Sequence, residues 1–153
     1  MSQDQMQSSH IQMLRNKVVS RAKSLCGIPF RHQGRDEYGL DCVGLPILIG
    51  RELKLMNYDV KSYARRTNGH DFMVYFRESG LVEVPWRKRA IGDVLLMKDN
   101  MYPCHTAILV DTDPDTIVHA FASRRKVVKE LYTRDWSVKF IGLFSYPDLV
   151  MRD

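Results

Sequence analysis

Three residues of this 153-residue chain have the types and surroundings for nucleophilic acyl chemistry: Cys42, His105 and His119. Cys42 follows Gly39-Leu40-Asp41 and opens an apolar run. Leu45, Leu48, Ile49 and Leu53 recur in that run at helical spacing, which places Cys42 at or near a helix N-terminus. Unpaired backbone N–H groups and the helix dipole gather there and favour a thiolate over a thiol. A cysteine titrates near ~8.5 in isolation, and a helix N-terminus with a neighbouring imidazolium lowers that by several units. A thiol nucleophile also needs a base for its proton and a third polar group to orient the base. Histidine suits the second task because its pKa is nearest neutrality. The pattern is therefore Cys42 as nucleophile, His105 as base and His119 as orienter. Each residue also has a structural use: Cys42 as a buried small hydrophobe, His105 as a strand-end residue facing solvent, His119 as a satisfied core histidine.

These side chains must be positioned by elements that the patterning predicts. A helix is expected from about residue 10 to residue 25, with Ile11, Leu14, Val18, Val19 and Ala22 on one face. Gly27 stops it, Cys26 packs as a small hydrophobe, and residues 1–9 are disordered or frayed. A turn-rich loop, residues 27–35, leads to the Cys42 helix, which ends near Leu55. Phe72, Tyr75 and Phe76 mark one face of a short helix closed by Gly80, and residues 81–85 read as a strand. From Ala90 the pattern changes to strands at residues 94–97, 105–110, 116–121, 127–128 and 140–144. The turn Asp111-Thr112-Asp113-Pro114-Asp115 makes a hairpin that brings His105 and His119 close. His105 shares strand parity with Ala107 and Leu109, and His119 with Ile117 and Phe121. Helices first and strands afterwards indicate an α+β fold, with one domain over residues 10–153.

Composition narrows the function classes. A hydrophobic share of 44% and a charged share of 27% are those of an ordinary globular domain. No apolar run approaches the roughly 18 residues that span a bilayer. The polar stretch at residues 1–9 has no h-region, so no signal peptide is expected. Three cysteines, an odd count, argue against a disulfide framework. The net charge of +5 is spread over short runs such as Ser123-Arg124-Arg125-Lys126 and Arg87-Lys88-Arg89, which read as solvated faces. No zinc-finger, RRM or KH signature accompanies them, so no nucleic-acid partner is expected. Cys104, His105 and His119 lack a recognised zinc spacing and a fourth ligand, so neither a metal nor a cofactor is expected.

The segment Gly27-Ile28-Pro29-Phe30-Arg31, followed by Gly39-Leu40-Asp41-Cys42-Val43-Gly44-Leu45, resembles the first motif of NlpC/P60 cysteine peptidases. Gly92-Asp93-Val94-Leu95-Leu96-Met97 with His105-Thr106-Ala107-Ile108-Leu109-Val110 resembles the second, and Ile117-Val118-His119-Ala120 the third. The motifs stand in the family's order and span about Leu14 to Phe144. The loop Phe30-Arg31-His32-Gln33-Gly34-Arg35 is most similar to small versions encoded with phage and gene-transfer-agent tail genes.

The resemblance implies a papain-like α+β fold, with N-terminal helices and the nucleophile helix packed on an antiparallel sheet. It implies cleavage of peptidoglycan stem peptides, commonly between D-glutamate and the diamino acid. Carried over by position, Cys42 attacks, His105 is base and then acid, and His119 orients it. Phe30, Arg31, His32 and Asp41 are the implied substrate contacts. Phe30 stands where the family commonly has a tyrosine, and its ring has no O–H to donate. Val43 stands where a serine is common, outside the proton-transfer chemistry. The implied setting is a protein made in the cytoplasm, carried by a phage-like tail with tail hub or tip proteins as partners, and acting in the cell wall. Three alternatives share the fold: a tail component without useful activity, a secreted wall-degrading toxin, and an acyltransferase.

Overall fold

The computed structural model describes residues 2–59, 69–98 and 105–151, leaving the side chains of residues 69–73 outside the description. Cys104 and the side chain of His70 thus lie outside it. Helix α1 (Gln3–Ser24) opens on a capping box: the Ser2 hydroxyl accepts from the Gln5 N–H at 3.1 Å, and the Gln5 side chain accepts from the Ser2 N–H at 2.8 Å. With its end donors met, the helix starts at Gln3, not near residue 10, and most of the stretch expected to fray is helical. Its buried face holds Ile11, Arg15, Val18, Val19 and Ala22. Gly27, at φ 96°, takes the left-handed conformation that ends the segment, which a Cβ would resist. Cys26, expected to pack inside, is exposed, because it falls in this outward turn rather than on the buried face.

Strands β1 (Arg35–Asp36) and β2 (Gly39–Leu40) form a small antiparallel hairpin before helix α2 (Gly44–Glu52). Two-residue strands carry no readable period, so the sequence showed only a turn-rich loop here. Helix α3 (Gly69–Glu78) follows, with Phe76 buried, Tyr75 half-buried and Val74 exposed, as its apolar face requires. Strands β3 (Val82–Glu83), β4 (Val94–Met97), β5 (His105–Thr112), β6 (Asp115–Phe121), β7 (Lys126–Leu131) and β8 (Phe140–Ser145) build one antiparallel sheet in the order β3-β8-β4-β5-β6-β7. A short helix α4 (Arg134–Ser137), too brief for a periodicity signal, links β7 to β8 and buries Trp136.

Both faces of the sheet are covered. Leu96, Ile108, Val110, Val118 and Ala120 pack with Val18, Ala22, Leu45 and Ile49 of the helices. The alternate residues Leu95, Met97, Ala107, Leu109, Ile117 and Leu143 pack with Trp136 on the other side. Strands buried on both faces read as continuous apolar runs, as Val94-Leu95-Leu96-Met97 does.

One ion pair joins helix, sheet and C-terminal segment. Arg15 Nη1 donates to Asp93 Oδ1 at 2.8 Å and to the Ile91 carbonyl at 3.0 Å, and Nη2 donates to the Leu149 carbonyl at 2.8 Å. Asp93 also accepts from the Ser145 hydroxyl at 2.5 Å and the Ala90 N–H at 2.9 Å. A second tie is the buried Tyr146 hydroxyl, which donates to the Pro46 carbonyl in α2 at 2.6 Å.

Candidate active site

Cys42 stands in the turn that enters α2, half-buried and in no disulfide. The turn is held by the carboxylate before it. Asp41 Oδ2 accepts from the Gln33 N–H at 2.8 Å, while Oδ1 accepts from the Gly44 N–H at 2.8 Å and from Arg35 Nη1 at 3.1 Å. The Gly44 contact satisfies a first-turn donor, although the helix's formal cap, Val43, makes no side-chain bond. Arg35 reaches on to Asp59 at 3.0 Å. Asp41 was among the expected substrate contacts. Asp41 is only 3% exposed, and its carboxylate accepts from three donors of the chain, which hold the turn that carries Cys42.

Gly44 is required by the same packing. A Cβ there would overlap the Gly34 carbonyl oxygen and stand 3.0 Å from both Arg35 Nη1 and Asp41 Oδ1. Backbone cannot yield as a flexible side chain does. Gly44→Ala is therefore expected to destabilise the fold by about 1–3 kcal/mol, read as a lower urea midpoint. An unchanged midpoint would show that this contact does not hold the turn.

Phe30, Arg31 and His32 run beside the turn. The Phe30 N–H donates to the Arg125 carbonyl at 2.9 Å, and its side chain packs on the helical-side core. The Arg31 N–H donates to the Leu40 carbonyl at 3.1 Å, and the exposed Arg31 side chain crosses Gly39. His32 is half-buried. These three expected contacts thus form one strip along the residues leading into Cys42.

The hydroxyl of Thr106 donates to the Cys42 carbonyl, which sets the nucleophile turn at the start of β5, where His105 is the first residue. The hairpin brings the histidines together as expected, with His105 Nε2 2.6 Å from His119 Nδ1. They are 2% and 0% exposed. The His105 ring stacks on Trp136 at 5.4 Å, the His119 ring stacks on Phe121 at 5.0 Å, and Trp136 meets His119 edge-on at 5.1 Å. Behind His119, Glu130 Oε2 lies 3.3 Å from Nε2, and Glu130 Oε1 accepts from the Trp136 indole N–H at 2.5 Å. With Nε2 of His105 occupied by His119, Nδ1 is the nitrogen left for a thiol proton.

The sequence patterning assigns no site role to Glu130, Phe121 or Trp136. The readable signal for Glu130 was weak: a carboxylate two residues beyond Val128, on the parity of a strand read only as residues 127–128. Across β6–β7 the register pairs His119 with Val128 and Ile117 with Glu130, so Glu130 reaches His119 on the diagonal.

Burial drives the His105 pKa well below its ordinary 6.5, and the His119 ring and Lys139 push the same way. His105 is neutral at pH 7, the form that can accept a proton. The adjacent His119 ring, then the bond from Trp136, draws the Glu130 carboxyl below its usual 4.5 despite burial. Between the lowered His105 value and 6.5 the native state binds fewer protons than the unfolded chain, so stability falls as pH falls. The loss is expected to begin near 6.5 with a slope of at most ~1.4 kcal/mol per pH unit. Glu130 adds a further loss only below 4.5. Urea midpoints from pH 8 to 5 test this, and a slope unaltered by His105→Gln would refute it.

No family model and no curated protein sequence matches the chain. Solved structures do. An NlpC/P60 family protein from Bacillus cereus superposes with a TM-score of 0.64 at 16% identity, over 86% of this chain and 40% of that one. NlpC2 from Trichomonas vaginalis gives 0.66 at 14% identity, over 87% of this chain and 46% of that one. The NlpC/P60 domain of the peptidoglycan hydrolase SagA gives 0.60 at 18% identity, over 86% of this chain and 97% of that one. The chain therefore spans less than half of the first two and nearly all of the third. It has the α+β fold of NlpC/P60 proteins, the class expected from the residue patterning and motifs.

Proposed function

We propose that the protein is a cysteine peptidase that cleaves peptidoglycan stem peptides between D-glutamate and the diamino acid. The observation that carries the reading is the buried His105–His119 bond on the strand whose first residues hold the Cys42 turn. The name of one structural neighbour, a peptidoglycan hydrolase, supports the choice of substrate.

The chemistry follows from the arrangement. The Cys42 thiol gives its proton to His105 Nδ1, and the thiolate sulfur attacks the scissile carbonyl. The Cys42 backbone N–H, at the mouth of α2, donates to the oxyanion. As the intermediate collapses, the C–N bond breaks, the leaving amine takes the proton from His105, and a thioester remains. His105 then takes a proton from water, hydroxide adds to the thioester, and Cys42 leaves as the thiol. Phe30 supplies no side-chain donor to this sequence, and removal of one oxyanion donor lowers a rate by about a hundredfold or more. A slow enzyme is the expected result.

Digestion of purified peptidoglycan and defined muropeptides, read by mass spectrometry, tests the reading. A new amine whose appearance requires Cys42 supports a peptidase, and the fragment masses name the bond. A folded protein that cleaves nothing and whose Cys42 reacts with iodoacetamide at an ordinary thiol rate would favour a structural component. A muropeptide transferred to an added amine in preference to water would favour an acyltransferase.

The proposal extends to delivery by a phage-like tail that opens the wall locally. It is supported by the resemblance of the loop from Phe30 to Arg35 to tail-encoded enzymes. Co-purification with tail hub proteins is expected, and dependence on a contractile secretion system would replace the tail by a toxin role.

A further inference from the structure

We propose that Glu130 is a positioning residue of the same site, holding His119 in the tautomer that leaves His105 Nδ1 open to the Cys42 proton. This rests on the peptidase reading. The short contact between His105 Nε2 and His119 Nδ1 contains one proton, which either ring can own. When His105 owns it, Nδ1 of His105 is a bare lone pair, and His119 carries its proton on Nε2, facing Glu130. When His119 owns it, His105 is protonated on Nδ1 and cannot act as base. His119 Nε2 then turns a lone pair toward a carboxylate oxygen 3.3 Å away. The negative charge opposes that second state and favours the first.

Three observations make Glu130 suited to the task. His119 is fully buried, and its Nε2 has no well-angled hydrogen bond among the described residues, so the carboxylate at 3.3 Å is the group that answers it. The Trp136 indole holds the other carboxylate oxygen at 2.5 Å, so Glu130 is anchored beside His119. The site is walled by the rings of Phe121 and Trp136, where a charge is screened less than on an open surface. His119, then Trp136 and Arg124, lower the Glu130 pKa, and Lys139 lowers that of His105, so these groups shape any pH profile of the relay.

The test uses the full-length chain labelled with ¹⁵N. Two-bond ¹⁵N–¹H correlation spectra at pH 7 are expected to place the His119 proton on Nε2 and leave His105 Nδ1 bare. Glu130→Gln has a single acceptor oxygen for Trp136 and His119 together. It is expected to populate the other tautomer, to lower kcat/KM on a defined muropeptide at least about tenfold and to displace the acid limb of the pH–rate profile. Glu130→Asp is expected to recover part of the loss. A wild-type spectrum with the proton on His119 Nδ1 overturns the inference, whatever the variants do. So does a Glu130→Gln protein in which either the tautomer or kcat/KM is unchanged. A wild-type protein that cleaves nothing sinks the peptidase reading instead, while the spectra still report the tautomer.

Discussion

Cys42→Ala is expected to lower kcat/KM on a defined muropeptide by about 10⁴-fold or more, to the limit of detection. Loss of the nucleophile removes the covalent route entirely, and what survives is only the rate that binding and oxyanion donors give to direct attack by water. The fold should survive, because the residues that hold the turn are its neighbours. Asp41 bonds Gly44 and Gln33, and Thr106 bonds the backbone carbonyl of Cys42, not its sulfur. His105→Gln should lose nearly as much. The double variant should lose little beyond either single one, since thiol and imidazole act as a unit. Release of new amine from muropeptides, with circular dichroism as the control for folding, decides the matter. Undiminished cleavage by Cys42→Ala would remove Cys42 from the chemistry.

Arg15→Met and Asp93→Ala are each expected to cost about 3–5 kcal/mol of stability. The side chains of the pair are 10% and 1% exposed, so neither charge can turn to water when its partner is removed. Without Arg15, Asp93 keeps the Ser145 hydroxyl and the Ala90 N–H, and the carbonyls of Ile91 and Leu149 lose a donor. Without Asp93, a guanidinium stays buried among carbonyls. Replacing both by apolar residues should recover much of the loss, because the desolvation cost of the pair vanishes with the pair. Urea midpoints of the two single variants and the double variant close the cycle. Strictly additive losses would show that the two side chains do not act as a pair. The effect should reach the candidate site as well: Asp93 immediately precedes β4, and its carbonyl accepts from Leu109 on β5, the strand that begins with His105.

Much of this architecture was legible in the chain. Apolar periodicity marked α1 and the Cys42 helix, and runs at residues 94–97 and 105–110 fell where β4 and β5 stand. The Asp/Pro turn with matching strand parity was enough to bring His105 and His119 onto one face, and the structure bonds them there. Other features left weak traces. The hairpin of β1 and β2 and helix α4 are too short to establish a period, so they are defined by partners distant in sequence. The extent of α1 depended on a capping box at Ser2 and Gln5 that precedes any apolar pattern.

By itself the sequence determined the class of fold, the place of Cys42 before a helix and the pairing of two histidines, because each depends on local spacing and on which face of a strand a residue takes. Only the tertiary structure decided the contacts of Asp41, Asp93, Glu130 and Trp136. Each is defined by a contact with a residue on another element, as Asp93 is by Arg15. A carboxylate reads the same in a sequence whether it faces water or is buried against a donor. Which one holds depends on packing that brings distant segments together, and that packing set which carboxylates are buried against a donor.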